Sequence, residues 1–186
     1  MGTIVETDRG SLPFALVHGE PMVAAAAWAM GEAGVHLVDL GTSWEAITDA
    51  GTPFVLHDAL CPLTPTAFIV ECVTRAAERS AVTVGVRPVT DTVKEYADGR
   101  VGATADRSAL VQVVSPVVLP AAVVAALDGP PPTTDFAALI AELATRFPVE
   151  TLEAPAGARR VAEEGDLRIL EALTTPRGQS GLFMEG

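Results

Sequence analysis

Short runs of β-branched residues alternate along this chain with longer segments rich in alanine and leucine, and few folds accommodate that rhythm. A strand followed by a helix and then another strand builds βαβ units, which assemble into a mostly parallel sheet covered by helices. Residues 3–6, 35–40, 53–57, 81–86, 111–114 and 149–152 read as strands, each bounded by Gly, Pro, Asp or Thr. Residues 21–33, 66–79, 121–127, 136–147 and 166–173 read as helices. Two helix starts carry capping chemistry. Thr64 stands before Pro65, which suits a first helical position because it has no N–H to leave unpaired, and Asp135 offers a carboxylate to the amides that follow it. Gly31 and Gly34 mark the end of the 21–33 segment.

Two segments break the rhythm. Residues 88–107 are polar and turn-rich, with Asp98-Gly99 between extended pieces at 92–96 and 100–104, the pattern of a hairpin projecting from the sheet. Residues 128–134 form a stiff proline-rich loop, residues 174–186 read as a frayed tail, and no internal repeat is present. The 186 residues read as one domain, and 49% hydrophobic content with a mean hydropathy of +0.35 excludes intrinsic disorder.

The charge balance narrows the partners. With 24 acidic and 12 basic side chains, a net charge of -12 excludes nucleic acid and anionic membrane surfaces. The most apolar stretch, 111–127, is broken by Gln112, Ser115, Pro116 and Pro120 and falls short of the ~20 residues of a membrane span. Residues 1–10 lack the cationic start and apolar core of a secretory signal, so the expected location is cytoplasmic, where Cys61 and Cys72 stay reduced as packing residues. His18, His36 and His57 stand too far apart in sequence for a zinc site, and no serine sits in a Gly-x-Ser-x-Gly elbow. Cys61 has His57 as its one nearby base partner, but residues on adjacent turns need not face each other.

Several ordered motifs carry more information. Val55-Leu56-His57-Asp58-Ala59-Leu60-Cys61-Pro62 follows a strand; Arg87-Pro88-Val89-Thr90-Asp91-Thr92-Val93-Lys94 and Ala105-Asp106-Arg107-Ser108-Ala109-Leu110 flank the hairpin. Ser115-Pro116 and the run from Arg160-Val161 to Asp166-Leu167 come next, and His18-Gly19-Glu20-Pro21-Met22 precedes the first helix. In this order they resemble the 2-C-methyl-D-erythritol 4-phosphate cytidylyltransferase family, over most of the chain. The resemblance implies a Rossmann-like nucleotidyltransferase sheet with helices on both faces and a projecting β-hairpin arm at about 88–107. It also implies a reaction in which a sugar-phosphate oxygen attacks the α-phosphorus of CTP with Mg²⁺ assisting. Such catalysis is mostly charge stabilisation by well-placed cations and amides.

Carried over residue by residue, the resemblance makes Asp58 and Ala59 nucleotide-binding, with Asp58 also the metal ligand; closing the turn after the strand is an equal alternative for Asp58. It makes Thr92 and Arg107 substrate-binding on an arm that reaches into a second copy, hence a homodimer. The bland alternative is that Asp91, Lys94, Asp106 and Arg107 form exposed ion pairs within the hairpin. Arg9 and Arg160 remain for the catalytic cations.

The departures point one way. The family's glycine-rich phosphate loop is replaced by Ile4-Val5-Glu6-Thr7-Asp8-Arg9-Gly10-Ser11-Leu12-Pro13-Phe14, with an added acid and Phe14 near the lysine position. Cys61 replaces an arginine, the arginine-bearing nucleotide segment has no counterpart in residues 39–52, and the one lysine, Lys94, belongs to the arm. Each lost contact to developing charge costs ~10²- to 10³-fold in rate. The expectation is a degenerate relative that binds a ligand or regulates, with a competent paralogue as a candidate partner; the alternatives are a working nucleotidyltransferase using Mg²⁺ and a pure interaction protein.

Overall fold

The computed structural model describes residues 1–39, 41–90 and 92–174. Its elements are β1 (Gly2–Val5), β2 (Leu16–Val17), β3 (Glu20–Pro21), α1 (Met22–Glu32), α2 (Trp44–Asp49), β4 (Phe54–Asp58), α3 (Thr66–Arg79) and β5 (Val82–Pro88). They continue with β6 (Lys94–Ala97), β7 (Arg100–Thr104), β8 (Val111–Leu119), α4 (Ala121–Ala125), α5 (Phe136–Leu143), β9 (Val149–Glu153) and α6 (Glu164–Thr174). One sheet takes five strands in the order β1-β4-β8-β5-β9. β1 pairs with β4 and β5 with β9 in parallel, while β8 runs antiparallel to both of its neighbours. The connection explains the reversal: between β5 and β8 the chain makes the β6–β7 hairpin instead of a crossover helix, so it returns antiparallel beside the strand it left.

Alternation of side chains sorts the core into two layers. Phe54 and Leu56 of β4, Val82, Val84 and Val86 of β5, and Val117 and Leu119 of β8 face one way, onto Ile47 of α2, Val123 and Val124 of α4, and Phe136, Leu139 and Leu143 of α5. Val55, Val114 and Val118 face the other, onto Ala29 and Met30 of α1 and Phe68, Ile69, Cys72 and Ala76 of α3. The sheet thus carries helices on both faces. A third cluster, Val17, Met22, Leu60, Val161, Leu167 and Leu170, fastens α6 to the β2–β3 hairpin.

Several local expectations change. Residues 35–38 form no strand: Leu37 makes a single bridge to Gly2, whose amide and carbonyl bond His36 and Val38, and exposed Asp39 follows. Leu40, at the end of that expected strand, lies outside the described residues, as do Asp91 and the tail beyond Thr174. β8 continues through Pro116 to Leu119, five residues past the expected end, because the ladder with β5 shifts register between Val84 and Val86 and thereby tolerates a residue without an N–H. Thr64 does not cap α3: its hydroxyl donates to the Cys61 carbonyl at 2.9 Å, and extended Pro65 itself occupies the cap position. α2 was not expected; Ser43 caps it by accepting from the Ala46 amide, and Trp44 meets Phe54 edge-to-face and donates to the Leu127 carbonyl.

The expected arm is present as a separate two-stranded sheet. Its tip turns through Asp98 (φ 51°) and Gly99 (φ 74°), successive left-handed residues that suit the twist of a tight hairpin. Asp135 caps α5 as its type predicts, its Oδ1 accepting from Ala137 at 2.8 Å and Ala138 at 3.1 Å. Asp135→Ala should lower stability by ~1 kcal/mol, and Asp135→Asn by much less. Urea midpoints of the two variants check this, and equal midpoints would remove the cap from the account.

Candidate functional site

The parallel pair β1 and β4 end side by side at Val5 and Asp58. The carboxyl ends of such strands are where open α/β sheets collect ligands. Beyond β1 the chain turns through Asp8 and Gly10, both at φ 61°, which brings the Arg9 side chain back over the end of β4. Beyond β9 the Val161 amide donates to the Leu60 carbonyl at 2.8 Å and sets Arg160 on the other side of Asp58. Three residues far apart in sequence therefore converge. Arg9 Nε donates to Asp58 Oδ1 at 3.2 Å, Arg160 Nε donates to Oδ2 at 3.0 Å, and the Leu60 amide donates to Oδ1 at 3.0 Å.

Each Arg9 guanidinium nitrogen makes a bond inside the protein: Nη1 donates to the Thr134 carbonyl at 2.8 Å and Nη2 to the Thr133 carbonyl at 3.1 Å. The Thr134 hydroxyl also donates to Asp8 Oδ2 at 3.3 Å, so the 128–134 loop is laced to the residues after β1. Arg9 and Asp58 side chains are 6% and 4% exposed, whereas Arg160 is 31% exposed. The Arg9 pair thus sits where screening is weak and removal of one partner leaves an uncompensated charge. A cavity of about 490 Å³ opens over the cluster, walled by the first residues of β8 and by Thr134, Asp135, Phe136 and Ala137.

Beneath Asp58 lies a buried polar layer. The Asp58 amide donates to Ser115 Oγ at 2.9 Å, and Ser115 Oγ lies 2.5 Å from His57 Nδ1. Nε2 is buried without a hydrogen-bond partner among the described residues. Burial lowers the His57 pKa to about 4, against a smaller opposing pull from the Asp58 charge, so the ring is neutral at pH 7. The Cys61 thiol is pushed up to about 12, by burial first and by Asp58 second. It stays protonated and does not serve as a nucleophile with His57; both cysteines are free and buried, as packing residues should be.

Arg9, Asp58 and Arg160 are brought together, but the other sequence candidates lie elsewhere. Ala59 is fully buried, and its amide is used by the Val5 carbonyl at 3.0 Å, so neither backbone donor nor side chain faces the cavity. Thr92 is exposed on the arm; Arg107 bonds the Thr90 carbonyl at 2.7 Å and lines a separate hollow with Val89, Leu110 and Glu153. The alternative of ion pairs within the hairpin is not met among the described residues: Lys94 bonds the Thr104 hydroxyl and Asp106 accepts from Ser108. Sequence reasoning missed the contributions of Ser115, Thr133 and Thr134; a polar residue inside the apolar 111–119 run was the available signal for Ser115. A larger groove of about 750 Å³ beside Trp28 and Leu63 is mainly apolar and lies apart from this chemistry.

Asp58→Asn should destabilise the fold by roughly 3 kcal/mol, mostly through buried Arg9 and less through half-exposed Arg160. Chemical denaturation measures it, and a loss below ~1 kcal/mol would mean the guanidiniums find water instead. His57 sets a pH dependence of known sign. Its folded pKa of about 4 lies below the unfolded 6.5, so the unfolded chain binds more protons between these values. Its share of stability is intact above pH 6.5 and falls by on the order of 3 kcal/mol as the pH drops to about 4. Unfolding free energies across that window should slope less in His57→Gln, and an unchanged slope would contradict the assignment.

Known proteins resemble the chain in sequence and in fold. The family described as 2-C-methyl-D-erythritol 4-phosphate cytidylyltransferase matches residues 34–175. A curated cytidylyltransferase of that name from Nocardia farcinica is 37% identical over 134 residues, which are 71% of this chain and 57% of that protein. One from Syntrophotalea carbinolica is 42% identical over 66 residues, 36% of this chain and 28% of that one. The matches therefore span about half the length of the first relative and less of the second. Among solved structures, the 2-C-methyl-D-erythritol 4-phosphate cytidylyltransferase of Thermus thermophilus shares the fold with a TM-score of 0.66 at 21% identity, over 93% of this chain and 97% of that one. The 4-diphosphocytidyl-2C-methyl-D-erythritol synthase of Anaerococcus prevotii does so at 0.65 and 13%, over 92% and 95%. With the family matched across three quarters of the residues, this chain belongs to the 2-C-methyl-D-erythritol 4-phosphate cytidylyltransferase family.

Proposed function

We propose that the chain binds a sugar or polyol phosphate at the Asp58 cavity and serves its family as a cytoplasmic ligand-binding or regulatory member, with CMP transfer from CTP slow or lost. The observation that carries this reading is the state of Arg9. It is the one cation within residues 1–39, and all three of its guanidinium nitrogens are engaged inside the protein. A loop that cradles a triphosphate needs donors free to meet the charge that builds up on it. Here each guanidinium nitrogen of Arg9 is directed at Asp58 or at the carbonyls of Thr133 and Thr134, which ties the side chain to the protein. The family match begins at residue 34, leaving the same loop outside it.

The arm completes the proposal. A two-stranded hairpin is marginal by itself, and Tyr96 and Val101 stand 74% and 69% exposed on this one. Exchange of arms between two copies would cover them and bring Thr92 and Arg107 toward the partner's cavity. A competent paralogue sharing that interface is the natural target of regulation. The second reading, active CMP transfer, draws on the 37% identity to the Nocardia farcinica enzyme and requires Arg9 to leave Asp58 for the nucleotide.

Calorimetric titration of the purified chain with CTP plus Mg²⁺ and with 2-C-methyl-D-erythritol 4-phosphate, with pyrophosphate release assayed alongside, separates the two. The expected result is heat from the sugar phosphate, none from CTP, and pyrophosphate release at least ~10²-fold slower than that of a full-length relative. Release at a comparable rate would establish the transferase instead. Sedimentation of the same sample should show a dimer if the arms exchange.

A further inference from the structure

Membership of a CTP-using family brings with it the expectation of a magnesium ion at Asp58, and the donor set there does not fit one. Mg²⁺ binds proteins through one or two carboxylates whose oxygens are open to it, with water or phosphate completing an octahedron. Both Asp58 oxygens already face guanidinium groups, and Oδ1 also accepts the Leu60 amide. Replacing a guanidinium by the ion would strand Arg9, 6% exposed, beside a divalent charge with no counter-ion of its own. The neighbouring acids each have one oxygen engaged: Asp135 Oδ1 accepts two amides of α5, and Asp8 Oδ2 accepts from the Thr134 hydroxyl.

Arg160 is arranged differently from Arg9. Its Nε is committed to Asp58, while Nη1 and Nη2 have no hydrogen bond among the described residues, and its side chain borders the cavity. A guanidinium held at Nε keeps its two terminal nitrogens as a fork for two oxygens of one phosphate group. We infer that Asp58 in this chain binds no metal and is instead the counter-ion that orients Arg160, whose terminal nitrogens receive a phosphate group without a divalent cation. Asp58 is then a positioning residue. The inference rests on reading the cavity as a phosphate site, but not on which phosphate ester enters it.

The test uses the wild-type chain first. Mn²⁺ titrated into it and followed by electron paramagnetic resonance should reveal no one-equivalent site of micromolar affinity. Calorimetric titrations with inorganic phosphate and with 2-C-methyl-D-erythritol 4-phosphate should give affinities that agree within about twofold in EDTA and in Mg²⁺. Arg160→Gln should weaken the anion by ~10-fold or more, with Arg160→Lys between the two because it keeps the charge but not the fork. Asp58→Asn, if circular dichroism shows it folded, should weaken the anion while leaving the Mn²⁺ signal unchanged. A tight Mn²⁺ site that disappears in Asp58→Asn, or anion binding that falls more than ~10-fold in EDTA, overturns the inference. Inorganic phosphate binding in EDTA through Arg160, with no binding of the methylerythritol phosphate, supports this inference and sinks the proposed function. Failure of both anions to bind sinks both.

Discussion

A carboxylate buried to 3% exposure cannot stand alone, and much of the local structure follows from satisfying Asp58. Its partners come from residue 9 on one side and residue 160 on the other, so two loops that share no secondary structure are fixed in position at the end of β4. Arg9 extends the constraint to a third segment by holding two carbonyls of the proline-rich loop before α5. Ser115 supports the same point from below by accepting the Asp58 amide. The ion pairs bring little net stability over an apolar alternative of the same shape, since desolvation offsets most of their attraction. What they supply is a single arrangement of the loops.

The layered α/β architecture was legible because helix and strand periods alternate cleanly, and the arm because Asp98-Gly99 is a turn with one good geometry. Asp135 was legible as a cap for a local reason: its partners lie two and three residues away. Thr64 shows the limit of that logic, since its hydroxyl found the Cys61 carbonyl sooner than the helix. The short strand at 35–40 failed because β-branched content measures fitness for a sheet, while only Gly2 offered it an edge. The reversal of β8 depends on what connects the strands, which no single strand encodes.

At the site, the motifs identified Asp58 and the two arginines but not their mutual pairing. Pairing over separations of 49 and 102 residues is set by the fold, and so is the engagement of Arg9 by the Thr133 and Thr134 carbonyls. Ser115 and His57 form a layer visible only when β4 and β8 are laid side by side. Arg9 was legible as a cation, but not as the link between β4 and the loop before α5.

The position of β8 ties the two ends of the molecule together. It is the middle strand of the sheet, it follows the arm after a short helical turn at Arg107–Ala109, and it carries Ser115 beneath Asp58. The appendage leads through one short turn into the strand at the centre of the sheet, so the hairpin and the support under the carboxylate are neighbours along the chain.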